Sequence, residues 1–240
     1  MYRGLGGDLL MSRWLLGLIV MTGLIHLATL SVNSEPLHWV FKLLPMTLII
    51  TLAVTSHPGR TSRVYKGLVV TGLIFSIGGD AFLLMSGDKW FTLGLASFLA
   101  GHLFYTAAML TRLRGSLLGW LAGIPIVVYC IWMANKFHTI LIADDSKSGL
   151  WLPVLCYIIV IGLMFWTAIL SGNRYAVIGA LLFVISDSVL AWNKFVEAVP
   201  SAGLLIMSTY FAAQLFLAGS ISGSLKIWRT TGQAPPLNAH

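Results

Sequence analysis

The feature that most constrains this chain is a series of long apolar runs separated by short polar segments. A helix needs about 20 mostly apolar residues to cross the hydrocarbon core of a bilayer. Eight runs approach or exceed this length, at residues 14–30, 38–56, 65–86, 90–111, 115–134, 150–170, 174–193 and 201–226. Because the segments between them are short, consecutive helices are expected to pack antiparallel. We therefore predict an all-α, polytopic membrane protein with eight transmembrane helices, forming one domain over 1–229 with a disordered tail at 230–240.

The composition supports a membrane protein and argues against a nucleic-acid partner. Hydrophobic residues make up 58% of the 240 residues and charged residues only 10%, whereas soluble domains carry about 25% charged residues. The net charge of +7 comes from basic residues that lie singly or in small groups between apolar runs. They form no basic stripe with interleaved aromatic residues, which nucleic-acid binding would require. Membrane lipids are therefore the predicted surroundings, and the sequence leaves the oligomeric state open.

Lysine and arginine are distributed unevenly between the two ends of the apolar runs. If the N-terminus is inside, five of the fifteen basic residues lie at outer ends and the other ten lie at inner ends. The five are Lys42, Lys89, Lys136, Lys147 and Lys194. Cytoplasmic segments of membrane proteins carry the excess of positive charge. This bias predicts that both termini are cytoplasmic.

Two short stretches of the sequence resemble each other. GGDAFLL at 78–84 and ISDSVLA at 185–191 place Asp80 and Asp187 near the outer ends of the third and seventh segments. Three segments lie between the two that carry these stretches, so the two stretches would have the same orientation in the membrane. A parallel repeat of four plus four helices is the hypothesis that accounts for this match.

Polar side chains are rare within the apolar runs, and most fall in the outer half of the membrane. An ionised aspartate at the centre of a membrane helix costs about 2.5–3.5 kcal/mol on the insertion scale, so such residues are candidates for function. Ser76 and Asp80 are spaced to share one helical face, as are His102 and Tyr105. We expect one outward-opening pocket to contain Lys42, Ser76, Asp80, His102, Tyr105, Tyr157, Ser186, Asp187, Asn193, Lys194, Tyr210 and Gln214.

Structural roles are alternatives for several of these residues. Lys42 and Lys194 have the length to extend their ammonium groups to the outer interface while their stems stay in the membrane. Either aspartate has a potential ion-pair partner in one of these lysines, although a buried ion pair stabilises a fold poorly. Tyrosines at these positions also fit helix packing. The sequence contains no HExxH motif and no cluster of His and Cys, so neither a metal nor a cofactor is predicted.

Two carboxyl groups in a dry pocket are suited to acid–base hydrolysis. One is protonated and acts as the acid, while the other is ionised and acts as the base. Glycosidases use such a pair to pass through an oxocarbenium-like transition state. In a membrane the corresponding substrate would be a lipid with a related acid-labile bond. Because intramembrane carboxylates also relay protons, a proton-coupled transporter of small molecules or lipids is the alternative.

Five motifs in order resemble the YhhN-type lysoplasmalogenase family. They are KLLP (42–45), GLIFSIGGDAFLL (72–84), FLAGHLFY (98–105), GALLFVISDSVLAWNKF (179–195) and STYFAAQLF (208–216). The resemblance extends over nearly the whole chain. The SDSVLAW run at 186–192 is more similar to vertebrate members than to bacterial ones.

This resemblance implies a specific activity. Such enzymes are eight-helix proteins, usually of the endoplasmic reticulum membrane, that use water to cleave the vinyl ether bond of lysoplasmalogens. The products are a fatty aldehyde and glycerophosphoethanolamine or glycerophosphocholine. On this reading Asp80 and Asp187 are the acid and the base, in an order the sequence does not assign. The supporting residues would be Ser76, His102, Tyr105, Tyr157, Ser186, Tyr210 and Gln214, while Lys42, Asn193 and Lys194 would hold the headgroup or tune an aspartate.

Overall fold

The described part of the chain folds entirely into helices and their connections. A computed structural model describes residues 4–32, 34–57, 62–145 and 147–222, so the predicted tail at 230–240 lies outside the described residues. A short 3-10 turn at Ser148–Leu150 precedes the seventh helix. The α-helices over these ranges are α1 (Gly4–Thr29), α2 (Glu35–Thr55), α3 (Arg63–Leu83), α4 (Asp88–Leu110), α5 (Leu117–Leu121), α6 (Gly123–Ile142), α7 (Trp151–Ser171), α8 (Arg174–Phe195) and α9 (Ala202–Gly219).

Seven helical segments within the described residues are long and apolar enough to cross a membrane. They are α2, α3, α4, the combined run of α5 and α6, α7 with its preceding turn, α8 and α9. A shorter apolar helix, Arg13–Thr29, forms the C-terminal part of α1. The prediction of an all-helical membrane protein is confirmed. The count of eight crossings and the four-plus-four repeat stay predictions.

The first predicted segment, 14–30, corresponds to α1, which begins ten residues earlier at Gly4, and the fifth segment also differs from the structure. The apolar run was expected to end at residue 134, whereas α6 continues to Ile142. Polar residues in this last part, such as Asn135 and Lys136, lie on the exposed face of the helix and do not interrupt it. The helix is instead interrupted earlier, at Ala122 between α5 and α6. Pro125 lies just after this break, and proline has no N–H for the hydrogen bond to the carbonyl four residues earlier.

Small residues bring α3 and α4, the most extensively packed pair, into close contact. A Cβ atom on Gly79 would lie 2.6 Å from the ring of Phe98, and one on Gly101 would lie 3.1 Å from the carbonyl oxygen of Gly72. Interfaces of membrane helices favour such residues because they let backbones approach. The close packing of α3 against α4 fixes the position of Asp80, which directly follows Gly79.

The second extensively packed pair is α8 with α9, and several further contacts join the pairs to the rest of the bundle. Helix α4 packs on α7, and α9 packs on α2. Asn173 caps the start of α8 by accepting hydrogen bonds from the backbone N–H groups of Tyr175 and Ala176, at 3.1 and 3.4 Å. The result is a bundle in which α3, α4, α8 and α9 carry the buried polar side chains Ser76, Asp80, His102, Ser186 and Gln214.

Candidate active site

Asp80 forms a buried polar group with side chains from two other helices. Its residue surface is only 2% exposed. The hydroxyl of Tyr210 on α9 donates a hydrogen bond to Asp80 Oδ2 at 2.5 Å, and the ammonium of Lys42 on α2 lies 3.7 Å from Oδ1. The carboxylate therefore has a charged partner and a neutral donor. The pairing of Lys42 with an aspartate, one of the sequence alternatives, is the arrangement in the structure.

Asp187 forms a second polar group with side chains of α4 and α7. Tyr157 on α7 donates a short hydrogen bond to Asp187 Oδ2. His102 Nε2, on α4, lies 3.3 Å from the same carboxylate oxygen and 2.9 Å from the Tyr157 hydroxyl. The Asp187 side chain is 12% exposed, whereas that of His102 is fully buried. Asp187 is thus the more accessible of the two intramembrane carboxyl groups, and within the described residues it forms no ion pair with lysine or arginine.

A third set of polar contacts lies about one helical turn from the Asp80 group, toward the N-terminus of α3 and the C-terminus of α9. The Tyr105 hydroxyl donates to Gln214 Oε1 at 2.7 Å and lies 3.3 Å from Ser76 Oγ. Ser76 precedes Asp80 by four residues and Gln214 follows Tyr210 by four, so both extend the polar face of their helices. These contacts tie α3, α4 and α9 together beneath the Asp80 group.

The two aspartates, which the sequence analysis placed in one pocket, have separate hydrogen-bond partners in the structure. Within the described residues no hydrogen bond joins Asp80 to Asp187. Aromatic rings connect their partners instead, because the ring of Phe183 contacts both Tyr210 and His102 edge-on, at centroid distances of 5.5 and 4.5 Å. Each carboxyl group therefore has its own tyrosine, and an apolar ring lies between the two sets of partners.

An apolar cavity of about 600 Å³ opens beside Asp187. Asp187 and Tyr157 contribute to its wall, and most of the other lining residues are apolar side chains of α6, α7 and α8. Binding sites for small molecules and cofactors commonly occupy about 300–1,000 Å³ and have mostly apolar walls with a few polar groups. Asp80 does not line this cavity. The cavity thus gives the two aspartates different surroundings, which their similar sequence contexts did not predict.

Three predicted site residues lie outside these polar groups. Ser186 donates a hydrogen bond to the carbonyl of Ile206 at 3.1 Å and so joins α8 to α9. Asn193 accepts a hydrogen bond from the backbone N–H of Val199 at 2.9 Å, closing the turn after α8. The Lys194 ammonium lies 4.9 Å from the ring centroid of Phe91 and is exposed. The structure brings none of the three to either carboxyl group.

Two cavity residues were missed by the sequence analysis. The hydroxyl groups of Tyr129 on α6 and Ser188 on α8 lie 2.6 Å apart, and both residues line the cavity. Ser188 directly follows Asp187 in the SDSVLAW run, so its position next to an intramembrane acid was an available signal. Tyr129 lies in an apolar run with no polar neighbour at helical spacing, and nothing in the sequence marks it.

The described residues contain no group of three or more His, Cys, Asp and Glu side chains that is arranged to hold a metal ion. What they provide is proton-transfer chemistry in a dry setting. The carboxyl group of Asp187 meets apolar space on one side and a tyrosine and a histidine on the other. His102 Nδ1 and Gln214 Nε2 are buried without a hydrogen-bond partner among the described residues, as are both ring nitrogens of His26 on α1. A carboxyl group in such a position can protonate an apolar substrate.

Comparison with known proteins agrees with the motif resemblance. The sequence model of the YhhN family matches residues 37–221. A mouse protein named lysoplasmalogenase TMEM86B is 34% identical over 209 residues, which cover 85% of this chain and 84% of the relative. Human lysoplasmalogenase TMEM86A is 34% identical over 178 residues, covering 68% of this chain and 66% of the relative.

A bacterial relative shares the same name. A lysoplasmalogenase of Mycobacterium tuberculosis is 27% identical over 176 residues, covering 72% of this chain and 66% of the relative. No solved structure matches the chain significantly.

Proposed function

The chain belongs to the YhhN family, and from this premise we propose that it hydrolyses the vinyl ether bond of lysoplasmalogens. The products are a fatty aldehyde and glycerophosphoethanolamine or glycerophosphocholine. The names of the mammalian and mycobacterial relatives support this activity. The single observation that carries the proposal is the Asp187 carboxyl group, which lies in the wall of an apolar cavity large enough for a lipid chain.

In the proposed first step Asp187 acts as the general acid. Its protonated carboxyl group transfers a proton to C2 of the alkenyl chain, and the electrons of the double bond form the new C–H bond. The ether oxygen then shares a lone pair with C1, which gives an oxocarbenium ion. Tyr157 and His102 hold the carboxyl group in place through their contacts with Oδ2. An apolar wall suits this step because the atom that receives the proton is a carbon of a lipid chain.

In the proposed second step water adds to C1 and loses a proton to an ionised carboxylate. We assign this role to Asp80, which forms an ion pair with Lys42 and accepts a hydrogen bond from Tyr210. Because Asp80 does not line the cavity, the proton is proposed to reach it through an intervening hydrogen-bonded group. The negative charge of Asp80 also offsets the charge of the oxocarbenium ion. The hydroxyl group of the hemiacetal then loses its proton as the bond from C1 to the glycerol oxygen breaks, and the glycerol oxygen takes up a proton. The proton that Asp80 gained from water is returned to Asp187 by exchange with solvent, which restores the starting protonation of both carboxyl groups. One water molecule is consumed in each turnover.

The buried polar residues around Asp80 are proposed to position the attacking water. The amide nitrogen of Gln214 is buried and has no partner among the described residues, so it is available to donate a hydrogen bond. Tyr105 fixes the orientation of that amide by donating to its oxygen. Ser76 in turn lies next to the Tyr105 hydroxyl. Asn193 and Lys194, at the outer end of α8, are proposed to act at most on the headgroup.

The proposed membrane arrangement follows from charge and packing. We infer eight crossings with both termini in the cytoplasm and, by family resemblance, a location in the endoplasmic reticulum membrane. A four-plus-four repeat would make α2 equivalent to α7, α3 to α8 and α4 to α9. The packing is compatible with this repeat, because α3 on α4 corresponds to α8 on α9 and α2 on α9 corresponds to α7 on α4.

The activity is tested with the purified full-length protein in detergent. It is incubated with a 1-alkenyl lysophosphatidylethanolamine, and free aldehyde is measured. A 1-acyl lysophosphatidylethanolamine of the same chain length is the matched control, because it lacks the vinyl ether. We expect aldehyde from the first lipid and no reaction with the second. Absence of aldehyde from folded protein would refute the enzymatic proposal and favour a transporter.

A further inference from the structure

Helix α7 presents one continuous stripe of residues to the apolar cavity. Its members are Tyr157, Ile158, Ile161, Gly162, Phe165 and Ile169. With a rise of about 1.5 Å per residue, Ile161, Phe165 and Ile169 lie about 6, 12 and 18 Å from Tyr157 along the helix axis. Because Tyr157 bonds Asp187, these distances measure depth from the carboxyl group. The cavity therefore has an arm that extends from Asp187 almost to the C-terminal end of α7.

The far end of this arm is bounded by Ile169 on α7 and by Ala122, at the junction of α5 and α6. Ile169 lies two residues before the end of α7 at Ser171. On α8 the cavity lining begins at Leu181, which lies about 9 Å from Asp187 along the helix axis. In the other direction the cavity extends past Asp187 to the outer ends of α4 and α8, where Phe91 and Phe195 line it. We call the part from Tyr157 to Ile169 the lower arm and the part beside Phe91 and Phe195 the upper arm.

We propose that the lower arm is a ruler that sets the length of the hydrocarbon chain the protein accepts. This inference rests on the proposed function, because it takes Asp187 as the group that C1 and C2 of the chain must reach. With those carbons held at Asp187, the rest of the chain extends along the stripe on α7. A chain that is too long meets Ile169 and Ala122 before its vinyl ether reaches the carboxyl group. The occupant is a single long chain with an apolar end, which matches the apolar walls of this arm.

Substitutions at different depths test the ruler. The kcat/KM for 1-alkenyl lysophosphatidylethanolamines of graded chain length is measured for Ile169→Trp, Ile169→Ala and Ile161→Phe. Ile169→Trp fills the far end of the lower arm and should lower kcat/KM at least tenfold for the longest hydrocarbon chains, with little effect on shorter ones. Ile161→Phe should impose a cutoff at shorter chains, since it lies about 12 Å closer to Tyr157 than Ile169 does. Ile169→Ala should shift the preference toward longer chains.

Leu163→Trp is the matched control, because Leu163 lies on the same helix but is 42% exposed and does not line the cavity. Its chain-length profile should equal that of the wild type. Melting temperatures of all variants in detergent identify any that fail to fold. If Ile169→Trp fails to fold, Ile169→Ala decides the test, since it predicts a shift in the opposite direction. If the folded Ile169 variants had the chain-length profile of the wild type, the ruler would be overturned and the proposed hydrolysis would be unaffected.

A second measurement does not depend on catalysis. Non-hydrolysable 1-alkyl lysophosphatidylethanolamines carry a photoreactive diazirine either near the ether bond or at the end of the chain. We expect the first probe to label the region of Tyr157 and the second to label the region of Ile169 and Ala122, with excess unlabelled lipid suppressing both. Labelling of the upper arm at Phe91 or Phe195 by the terminal probe, or labelling that excess lipid does not suppress, would overturn the proposal. If the terminal probe labelled the lower arm of a protein that releases no aldehyde, the proposed hydrolysis would be refuted and the ruler would be retained.

Discussion

At the scale of single residues, the two aspartates differ in their partners and in what they face. Asp80 is 2% exposed and is paired with the ammonium of Lys42. Asp187 has a tyrosine and a histidine as partners and lies in the wall of the cavity. Two carboxyl groups in different surroundings are the usual basis for dividing acid and base roles between them. This difference is our reason for proposing Asp187 as the acid and Asp80 as the ionised carboxylate.

Asp187→Asn should abolish most of the activity without unfolding the protein. The amide keeps the shape of the side chain but has no acidic proton to transfer to carbon. General acid catalysis contributes about 10²- to 10⁴-fold, so we expect a loss of kcat in that range with a near-normal melting temperature. Asp88→Asn is the control, since Asp88 is exposed at the start of α4. A kcat for Asp187→Asn close to that of the wild type would contradict the assignment.

The ion pair between Lys42 and Asp80 should be visible in stability. Lys42→Met leaves the carboxylate of Asp80 buried without its cation, and breaking a buried pair in this way costs about 3–5 kcal/mol. We expect the double variant Lys42→Met/Asp80→Asn to lose less unfolding free energy than Lys42→Met alone. Lys147→Met serves as control, because its pair with Asp144 is exposed and such pairs contribute about 1 kcal/mol or less. The single variant Asp80→Asn is measured as well. If the loss of unfolding free energy in the double variant equals the sum of the losses in the two single variants, the two side chains do not interact.

At the scale of elements, the site depends on how closely α3 and α4 approach. Asp80 follows Gly79, and Phe98 on α4 packs where a side chain at 79 would lie. The same face of α4 carries His102 and Tyr105, which contact the Asp187 group and the Ser76 group respectively. Helix α4 therefore contributes to the Asp187 group and to the Ser76 group, and a shift of α4 against α3 would disturb both groups.

Gly79→Val is expected to destabilise this pair of helices. The added Cβ atom would lie 2.6 Å from the ring of Phe98, and overpacking of this kind costs about 1–3 kcal/mol. Gly67→Val is the matched control on the same helix, since no atom lies within 4 Å of a Cβ built there. Melting temperature in detergent and aldehyde release should both fall for Gly79→Val and stay near wild-type values for Gly67→Val. Equal effects of the two substitutions would contradict the packing argument.

The sequence predicted the helices well because apolar length is a local property. It also placed Ser76 and Asp80 on one buried face, since helical spacing decides this. It failed where tertiary packing decides the partner. Tyr210 and Tyr157 were both expected near the acids, but which tyrosine serves which aspartate depends on which helices touch. The apolar stripe on α7 was overlooked because most of its residues resemble ordinary lipid-facing or packing residues in sequence.

At the scale of the whole molecule, the bundle places its two acids on helices that the proposed repeat would make equivalent. Asp80 on α3 is bonded from α2 and α9, and Asp187 on α8 is bonded from α7 and α4. If α2 corresponds to α7 and α9 to α4, each acid is held by equivalent helices. A duplicated scaffold with two different sets of side chains would explain how the acids acquired different surroundings. The cavity beside Asp187 is lined mainly, though not solely, by helices of the second half.

The orientation in the membrane can be tested with single cysteines in a Cys130→Ser/Cys156→Ser background. Ser86→Cys lies in the exposed turn between α3 and α4, and His57→Cys lies in the exposed segment after α2. The excess of positive charge at the inner ends predicts that a membrane-impermeant thiol reagent, added on the outer or lumenal side of sealed membranes, labels Ser86→Cys alone. Labelling of His57→Cys alone would invert the proposed orientation.

The central claim, protonation of a vinyl ether carbon followed by addition of water to its neighbour, is tested most directly by isotope labelling of the reaction. The wild-type protein hydrolyses a 1-alkenyl lysophosphatidylethanolamine in D₂O, and in a parallel reaction in H₂¹⁸O, and both products are analysed by mass spectrometry at short times. The account predicts one deuterium on C2 of the aldehyde and no ¹⁸O in the glycerophosphoethanolamine, because the bond from C1 to the glycerol oxygen is the one that breaks. An aldehyde without deuterium at C2, or ¹⁸O in the glycerol product, would contradict it.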